Sequence, residues 1–369
     1  MSQQPTLLHR LLFNPIYAAG LDIQDHTLTL AHVKPGDDTL DKLHLHPLPE
    51  GIVENGEIIN ERAFAKHLLE ALTDSGIKSG HWVTHPPIQH TALRHLSLPP
   101  MPKKDVKSAV RYEASRNLPF PLTDASIDFD DISADEPKRK KERKTRPQPR
   151  RTKRRSLLAR RAKPDPAAAL EQATPGPEAA PDQTPPRSVN EEHTTHGRKG
   201  LPRSMLVAAT PLAQVLKLMR VAKAAGVKLG VVEPRQVATL RALKHHDRIN
   251  ADELVLSVTE THANLTVIAG NAVRLARNLP YGKSDLESGK PSAVDGFQRD
   301  LIATIEYATR FSDHLNLTRL AITGAELHRD ALDAVEGLNL AAYPVRVIDG
   351  VPTDALSAYG MALRGARGI

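Results

Sequence analysis

Residues 98–122 read LPPMPKKDVKSAVRYEASRNLPFPL. Pro99, Pro100 and Pro102 fix φ and keep the chain out of a helix until position 102. Pro102 suits a first helical turn, where a missing N–H costs nothing, and Asp105 favours that turn electrostatically. Val106, Ala109, Val110 and Ala114 recur at helical spacing. Pro119 and Pro121 stop the helix after Leu118. The stretch predicts one amphipathic helix over 103–118, framed by two proline turns.

Outward from this helix the chain repeats an order of elements. Residues 17–23, 27–33 and 39–46 read as strands, separated by Gln24-Asp25 and by Pro35-Gly36-Asp37. A helix follows, with Asn60 as N-cap, Phe64, Leu68 and Leu72 on one face and Gly76 at its end. A short strand at 81–84 closes the set. The second half repeats it: strands at 253–258, 264–269 and 272–279, with a Gly270-Asn271 hairpin signal. A long helix then carries Phe297, Leu301, Ile305 and Ala308 on one face, before a strand at 319–322. Three strands, a helix and a strand thus occur twice, which predicts an α/β fold of two lobes.

Between two further strand-like runs, 125–132 and 204–210, the composition changes. Residues 136–203 hold no Phe, Tyr or Trp and are dense in Pro, Arg, Lys and Glu. Such a segment buries too little apolar surface to offset its ordering entropy. We read it as a disordered insertion in an expanded hairpin loop, with a brief helix conceivable at 156–163. The net charge of +7 belongs to this insertion. Residues 138–163 contain fifteen Lys or Arg against Glu142 alone, a local charge of +14, so the remainder stands at −7. The basic patch comprises Lys138, Arg139, Lys140, Lys141, Arg150, Arg151, Arg154 and Arg155 among others.

Composition also excludes. The chain lacks cysteine, which removes disulfides, thiolate zinc sites and a cysteine nucleophile. Its apolar runs fall far short of a membrane span, and 7–13 is too short and too charged for a signal peptide. Of seventeen histidines, His44 and His46 share a strand face and His245-His246 sit at a helix end. Neither pair has a third and fourth ligand at short spacing, so no metal site is expected. No nucleophile motif stands out.

The words LPPMP (98–102), VRYEA (110–114) and LPFPL (118–122) resemble the type IV pilus assembly protein PilM family. SIDFD (126–130), LVAATP (206–211), AAGVK (224–228), VVEP (231–234), LRAL (240–243) and NLTV (264–267) follow in matching order. The resemblance implies an actin/Hsp70-like two-lobed duplicated fold with an FtsA/PilM-like extra subdomain. Residues 1–96 would form the first lobe and 97–228 the extra subdomain, interrupted by 136–203. Residues 229–369 would form the second lobe and a C-terminal return.

The resemblance also implies a nucleotide cleft, and here the chain departs from the pattern. Where the family has a turn like LDIGSSSIK, residues 21–29 read LDIQDHTLT. Asp22 survives, the glycine has become Gln24, and the lysine position is Thr29. Where the family reads like VDIGARSTNL, residues 256–265 read LSVTETHANL, with Ser257 for the acid and Thr259 for the glycine. The adenosine loop is reduced to Thr323-Gly324-Ala325. Lost backbone approach and the added carboxylates of Asp25 and Glu260 disfavour a triphosphate. Asp22, Gln24, Thr27, Ser257, Thr259, Asn264 and Gly324 mark the cleft; ATP with magnesium is disfavoured there and no catalytic residue is assigned.

By the same resemblance, the chain would be a cytoplasmic scaffold, peripheral to the inner membrane. It would hold the N-terminal cytoplasmic tail of a PilN-like bitopic protein between the first lobe and the extra subdomain. The segment Pro99, Pro100, Met101, Pro102, Arg111, Glu113, Pro119, Phe120 and Pro121 would border that groove. Contacts with the motor ATPase and platform proteins would follow, and homo-oligomerisation stays open. The basic patch reads as a solvated spacer or as an anionic-lipid contact. Nucleic acid is disfavoured because aromatics for base stacking are absent. The alternatives are a working actin-like ATPase of the same machine, or a type II secretion component of the GspL kind.

Overall fold

The computed structural model describes residues 18–34, 38–133, 202–250, 252–270, 272–288, 290–310, 317–325, 340–345, 348 and 350–366. The segment 7–13, the turn 35–37, Asn271 and all eight named basic-patch residues lie outside the described residues, as does 156–163.

The first three strands are β1 (Ala18–Ile23), β2 (Thr27–Val33) and β3 (Leu40–Pro47). A small hairpin of β4 (Val53–Glu54) and β5 (Glu57–Ile58) leads to helix α1 (Glu61–Ser75) and strand β6 (His81–Thr84). Asn60 caps α1 as its sequence predicts: its side chain accepts the Ala63 amide at 3.0 Å. Gly76 closes the helix at φ 58°, a left-handed turn that suits glycine. Phe64, Leu68 and Ala71 are buried against the sheet, each large side chain contributing about 2 kcal/mol.

The proline-framed segment lies between β7 (Ala92–Leu98) and β8 (Ala125–Asp131) as helix α2 (Lys103–Asn117). Pro102 stands at the N-cap rather than inside the first turn. Leu118 leaves the helix extended at ψ 144°, as a residue before proline must. Val106, Val110 and Ala114 pack on Leu98, Met205 and Val207. Strand β9 (Arg203–Pro211) pairs antiparallel with β8 from Ala125↔Pro211 to Asp131↔Met205. The two runs flanking the insertion are therefore one hairpin, as the sequence suggested.

Helix α3 (Leu212–Ala224), strand β10 (Leu229–Val232) and helix α4 (Arg235–His245) follow. The second set is β11 (Glu253–Val258), β12 (Ala263–Ala269) and β13 (Ala272–Leu279). Next come the short α5 (Lys283–Leu286), the long α6 (Pro291–Arg310), β14 (Arg319–Gly324) and β15 (Ala341–Pro344). On α6, Phe297, Leu301 and Ala308 are buried and Ile305 partly so. Helix α7 (Leu356–Ala366) ends the described chain.

Two sheets carry the duplication. One runs β10-β6-β1-β2-β3; the other runs β15-β14-β11-β12-β13 and continues through β7-β9-β8. In each, the first three strands form an antiparallel meander and two later strands add in parallel. The first sheet recruits β10 from residues 229–232, well beyond β7–β9 in sequence. The extra strands join β13 through the pair Leu275↔Arg94.

Helices α4 and α7 cross at the join. Every residue of α7 from Leu356 to Leu363 is buried. A Cβ on Gly20 would lie 1.9 Å from the Ala358 carbonyl oxygen, and one on Gly360 would lie 1.9 Å from that of Ala238. Only glycine permits such backbone approach. Buried Glu233 anchors the crossing, accepting from Arg241 at 2.7 and 2.8 Å and from Arg364 at 2.6 Å. Arg241 also donates to the Gly360 carbonyl at 2.7 Å.

Candidate functional site

The antiparallel pairings β1–β2 and β11–β12 end in equivalent four-residue turns. In the first, the Gln24 amide donates to the Thr27 carbonyl at 3.0 Å; in the second, the Thr259 amide donates to that of His262 at 2.8 Å. Both turns therefore use their leading N–H internally, where a phosphate cradle would leave it outward. The turns also meet. Asp25 is buried, and its carboxylate accepts from the Gly56 amide and from the Thr261 hydroxyl, both at 2.6 Å. One side chain thus joins the first turn to the β4–β5 hairpin and to the second turn.

Asp22 stands at the end of β1, fully buried. Arg235, the first residue of α4, clamps it through Nε at 2.8 Å and a terminal nitrogen at 3.0 Å. Gln24 donates to the second carboxylate oxygen at 2.7 Å, and His85 Nε2 lies 2.9 Å from the first. His85 Nδ1 lies 2.9 Å from the Pro86 carbonyl oxygen, and its Nε2 is also 3.1 Å from the Ile23 amide nitrogen. Burial works to raise the Asp22 pKa, but Arg235, His85 and Gln24 together hold it far below the usual carboxylate range. The carboxylate is ionised and its lone pairs are engaged, which leaves little for a metal ion.

The equivalent position in the second half is Ser257, whose hydroxyl shares a 2.9 Å hydrogen bond with Thr323. Thr259 donates from its hydroxyl to the His262 carbonyl at 2.8 Å. His262 is buried between the turns. Desolvation, then the nearby Arg235, lower its pKa to about 4, so it is neutral at pH 7. Gly324 has φ +93° and packs on β11: a Cβ there would lie 2.0 Å from the Val258 carbonyl oxygen. Its glycine requirement is thus met by strand packing alone, without a nucleotide.

Asn264 is buried, accepts from the Thr266 hydroxyl at 3.0 Å and lines a cavity of about 400 Å³. Arg94, Pro119, Gln236, Asn278 and Tyr307 also line it. A neighbouring cavity of about 480 Å³ lies between the β4–β5 hairpin and the second turn, with Glu54, Glu57, His90, Thr261 and His262 in its wall. Glu57 is ionised: hydrogen bonds from Gln214 and Lys217 lead in pulling its pKa to about 2. A triphosphate entering there would face carboxylates.

The structure brings Asp22, Gln24, Thr27, Ser257, Thr259 and Gly324 to the facing ends of the two meanders, with Asn264 directly opposite Ser257 on β12. The PilM-like segment packs on the extra strands, and Pro119 of it reaches the cavity that Asn264 lines. Pro99, Pro100, Pro102, Arg111, Pro119 and Pro121 are exposed; Met101, Glu113 and Phe120 are half-buried. Sequence reasoning missed Arg235, His85 and Thr261. Arg235 follows the quoted VVEP word, yet nothing in the sequence couples it to a residue 213 positions away.

No protein-family profile matches the chain, and no curated protein matches it in sequence. Solved structures do. A structure described as the PilM-PilN type IV pilus biogenesis complex aligns over 95% of this chain and 99% of that one, with TM-score 0.65 and 19% identity. The ethanolamine utilization protein EutJ from Carboxydothermus hydrogenoformans aligns over 95% and 90%, with TM-score 0.46 and 10% identity. The cytoplasmic domain of EpsL, an inner membrane component of the type II secretion system of Vibrio cholerae, aligns over 87% and 94%, with TM-score 0.42 and 6% identity. The chain has the actin-like ATPase fold in its two-lobed, duplicated form. Within that class its form is PilM-like.

Proposed function

We propose that this chain is a non-catalytic, actin-fold scaffold of a type IV pilus or related secretion assembly machine. The observation that carries the reading is the Asp22–Arg235 pair. The acid that an ATPase would turn toward a metal-bound phosphate is buried and ion-paired within the protein. The Asp25–Thr261 bond and the Glu54 and Glu57 carboxylates act in the same direction. A two-lobed fold kept while its cleft chemistry is lost fits selection for a binding surface.

The partner in this reading is a bitopic inner-membrane protein of the PilN kind, whose short cytoplasmic tail would lie between the first lobe and the α2 subdomain. The exposed outer face of α2, with Arg111 and Tyr112, and the proline turns at 99–102 and 119–121 would border that groove. Contacts with the motor ATPase and platform proteins, and a place at the cytoplasmic face of the inner membrane, belong to the same proposal. Among the described residues, no helix is long and apolar enough to cross a membrane.

Two titrations on the full chain test it. Fluorescence anisotropy with a labelled N-terminal tail peptide of a PilN-like bitopic protein should show saturable binding, weakened by Arg111→Glu. Absence of binding would overturn the partner. Mg·ATP should leave the melting temperature unchanged. Stabilisation by Mg·ATP, or ATP retained through purification, would instead make the chain a working nucleotide-binding member of the fold.

A further inference from the structure

The first sheet carries a histidine cluster that the cleft and the partner groove do not use. Strand β3 is the outer strand of that sheet. Its residues 42, 44 and 46 share one face, by the period of two. That face looks onto α1: Lys42 Nζ donates to the Gly76 carbonyl at the helix end, at 2.9 Å. Along α1, His67, Glu70 and Asp74 fall on one side, three and four residues apart. The histidine pair from the strand therefore meets the ligands it lacked in sequence.

Distances make the meeting specific. His46 Nε2 lies 3.3 Å from His67 Nδ1, and His67 Nδ1 lies 3.2 Å from Glu70 Oε2. Ligand atoms of His46, His67 and Glu70 lie within 4.8 Å of one another, and so do those of His44, His46 and Asp74. A tetrahedral ion with bonds of about 2.0–2.1 Å sets its donor atoms roughly 3.3 Å apart. Hydrogen bonding alone serves the cluster poorly. His67 Nδ1 faces both a ring nitrogen and a carboxylate, but it carries one proton or one lone pair, never both. His44 Nε2 is buried and has no partner among the described residues. Glu70 gives its other oxygen to Lys66 at 3.6 Å, which leaves Oε2 for the cluster.

We infer that His46, His67 and Glu70, with His44 and Asp74 beside them, bind one first-row divalent cation of the zinc class. Imidazole and carboxylate donors select such ions over calcium and magnesium, which prefer oxygen alone. Two carboxylates match the charge of a dication. The bound ion would tie the outer strand β3 to α1.

The test uses the full chain, stripped with EDTA and titrated with zinc by calorimetry and with cobalt by visible absorption. One saturable equivalent per chain is expected, with the intense visible bands of four-coordinate cobalt. His46→Ala with His67→Ala should weaken binding at least tenfold. His90→Gln, outside the cluster and paired with Glu57, should leave it unchanged. Equal binding by the double variant, or no saturable equivalent in the parent chain, would overturn the site. Amide hydrogen exchange on the parent chain gives a readout independent of variant folding. Zinc should slow exchange in 40–47 and 61–76, and unchanged exchange there would also overturn it.

Discussion

The two hairpin turns, 24–27 and 259–262, occupy the same place in two copies of one five-strand unit, yet they have been closed by different chemistry. In the first copy the acid at the strand end remains: Asp22 faces Arg235, His85 and Gln24. In the second the position holds Ser257, which shares a neutral hydrogen bond with Thr323. The first solution is charged, buried and costly to disturb; the second is apolar-tolerant and cheap. A buried carboxylate persists only with a cation beside it, whereas a serine needs one hydroxyl partner.

Breaking the charged half should have the largest effect. Arg235→Met leaves Asp22 buried without its guanidinium, with only Gln24 and His85 beside it, and should lower stability by about 3–5 kcal/mol in urea unfolding. Adding Asp22→Leu should recover most of that loss. Equal or greater loss in the double variant would mean that the pair does more than neutralise a stranded charge. Next, Gly324→Ala should cost about 1–3 kcal/mol for its backbone conformation, and more for the clash with Val258. Gly51→Ala also has positive φ (+76°) but open space around its Cβ position, so it should cost less. Similar losses would refute the close strand approach.

The pH dependence of stability gives the third comparison. His262 and His95 are both lowered from 6.5 to about 4, by burial first and then by Arg235 and Arg274 respectively. Above pH 6.5 both states hold them neutral. As pH falls from about 6.5 to about 4 the unfolded chain takes up protons first, so stability declines, and below that range these groups add no further loss. The decline should be on the order of 1–3 kcal/mol for buried His262, and smaller for half-buried His95, whose exposure screens the effect. Denaturant midpoints for His262→Gln and His95→Gln across this range should show a flatter profile; an unaltered profile would place the titration elsewhere. The smallest effect should come from the neutral half. Ser257→Ala and Thr323→Val should each cost about 1 kcal/mol, and the double variant should lose less than the sum, because both remove the same bond. Full additivity would break the equivalence drawn between the two turns.

Much of this was legible in the sequence. Asn60 and Gly76 bounded α1, the spacing of Phe297, Leu301 and Ala308 gave the buried face of α6, and the prolines at 102 and 119 framed α2. These are local rules of capping, periodicity and fixed φ, acting within a few residues. The paired runs 125–132 and 204–210 were readable for the same reason, since each is strand-like by itself. Gln24 and Thr259, where the resemblance expects glycine, were also legible as the residues of the two turns.

Tertiary structure decided what holds the two turns and what else the fold brings together. Arg235 reaches Asp22 across 213 positions, Asp25 reaches Thr261 across 236, and β10 joins a sheet begun at residue 18. His44 and His46 lacked further ligands until β3 lay beside His67 and Glu70 on α1. Secondary structure follows from propensity and pattern along the chain. The partner of a buried charge, or the ligands around an ion, follow from which surfaces the fold packs face to face, and that is not written in local spacing.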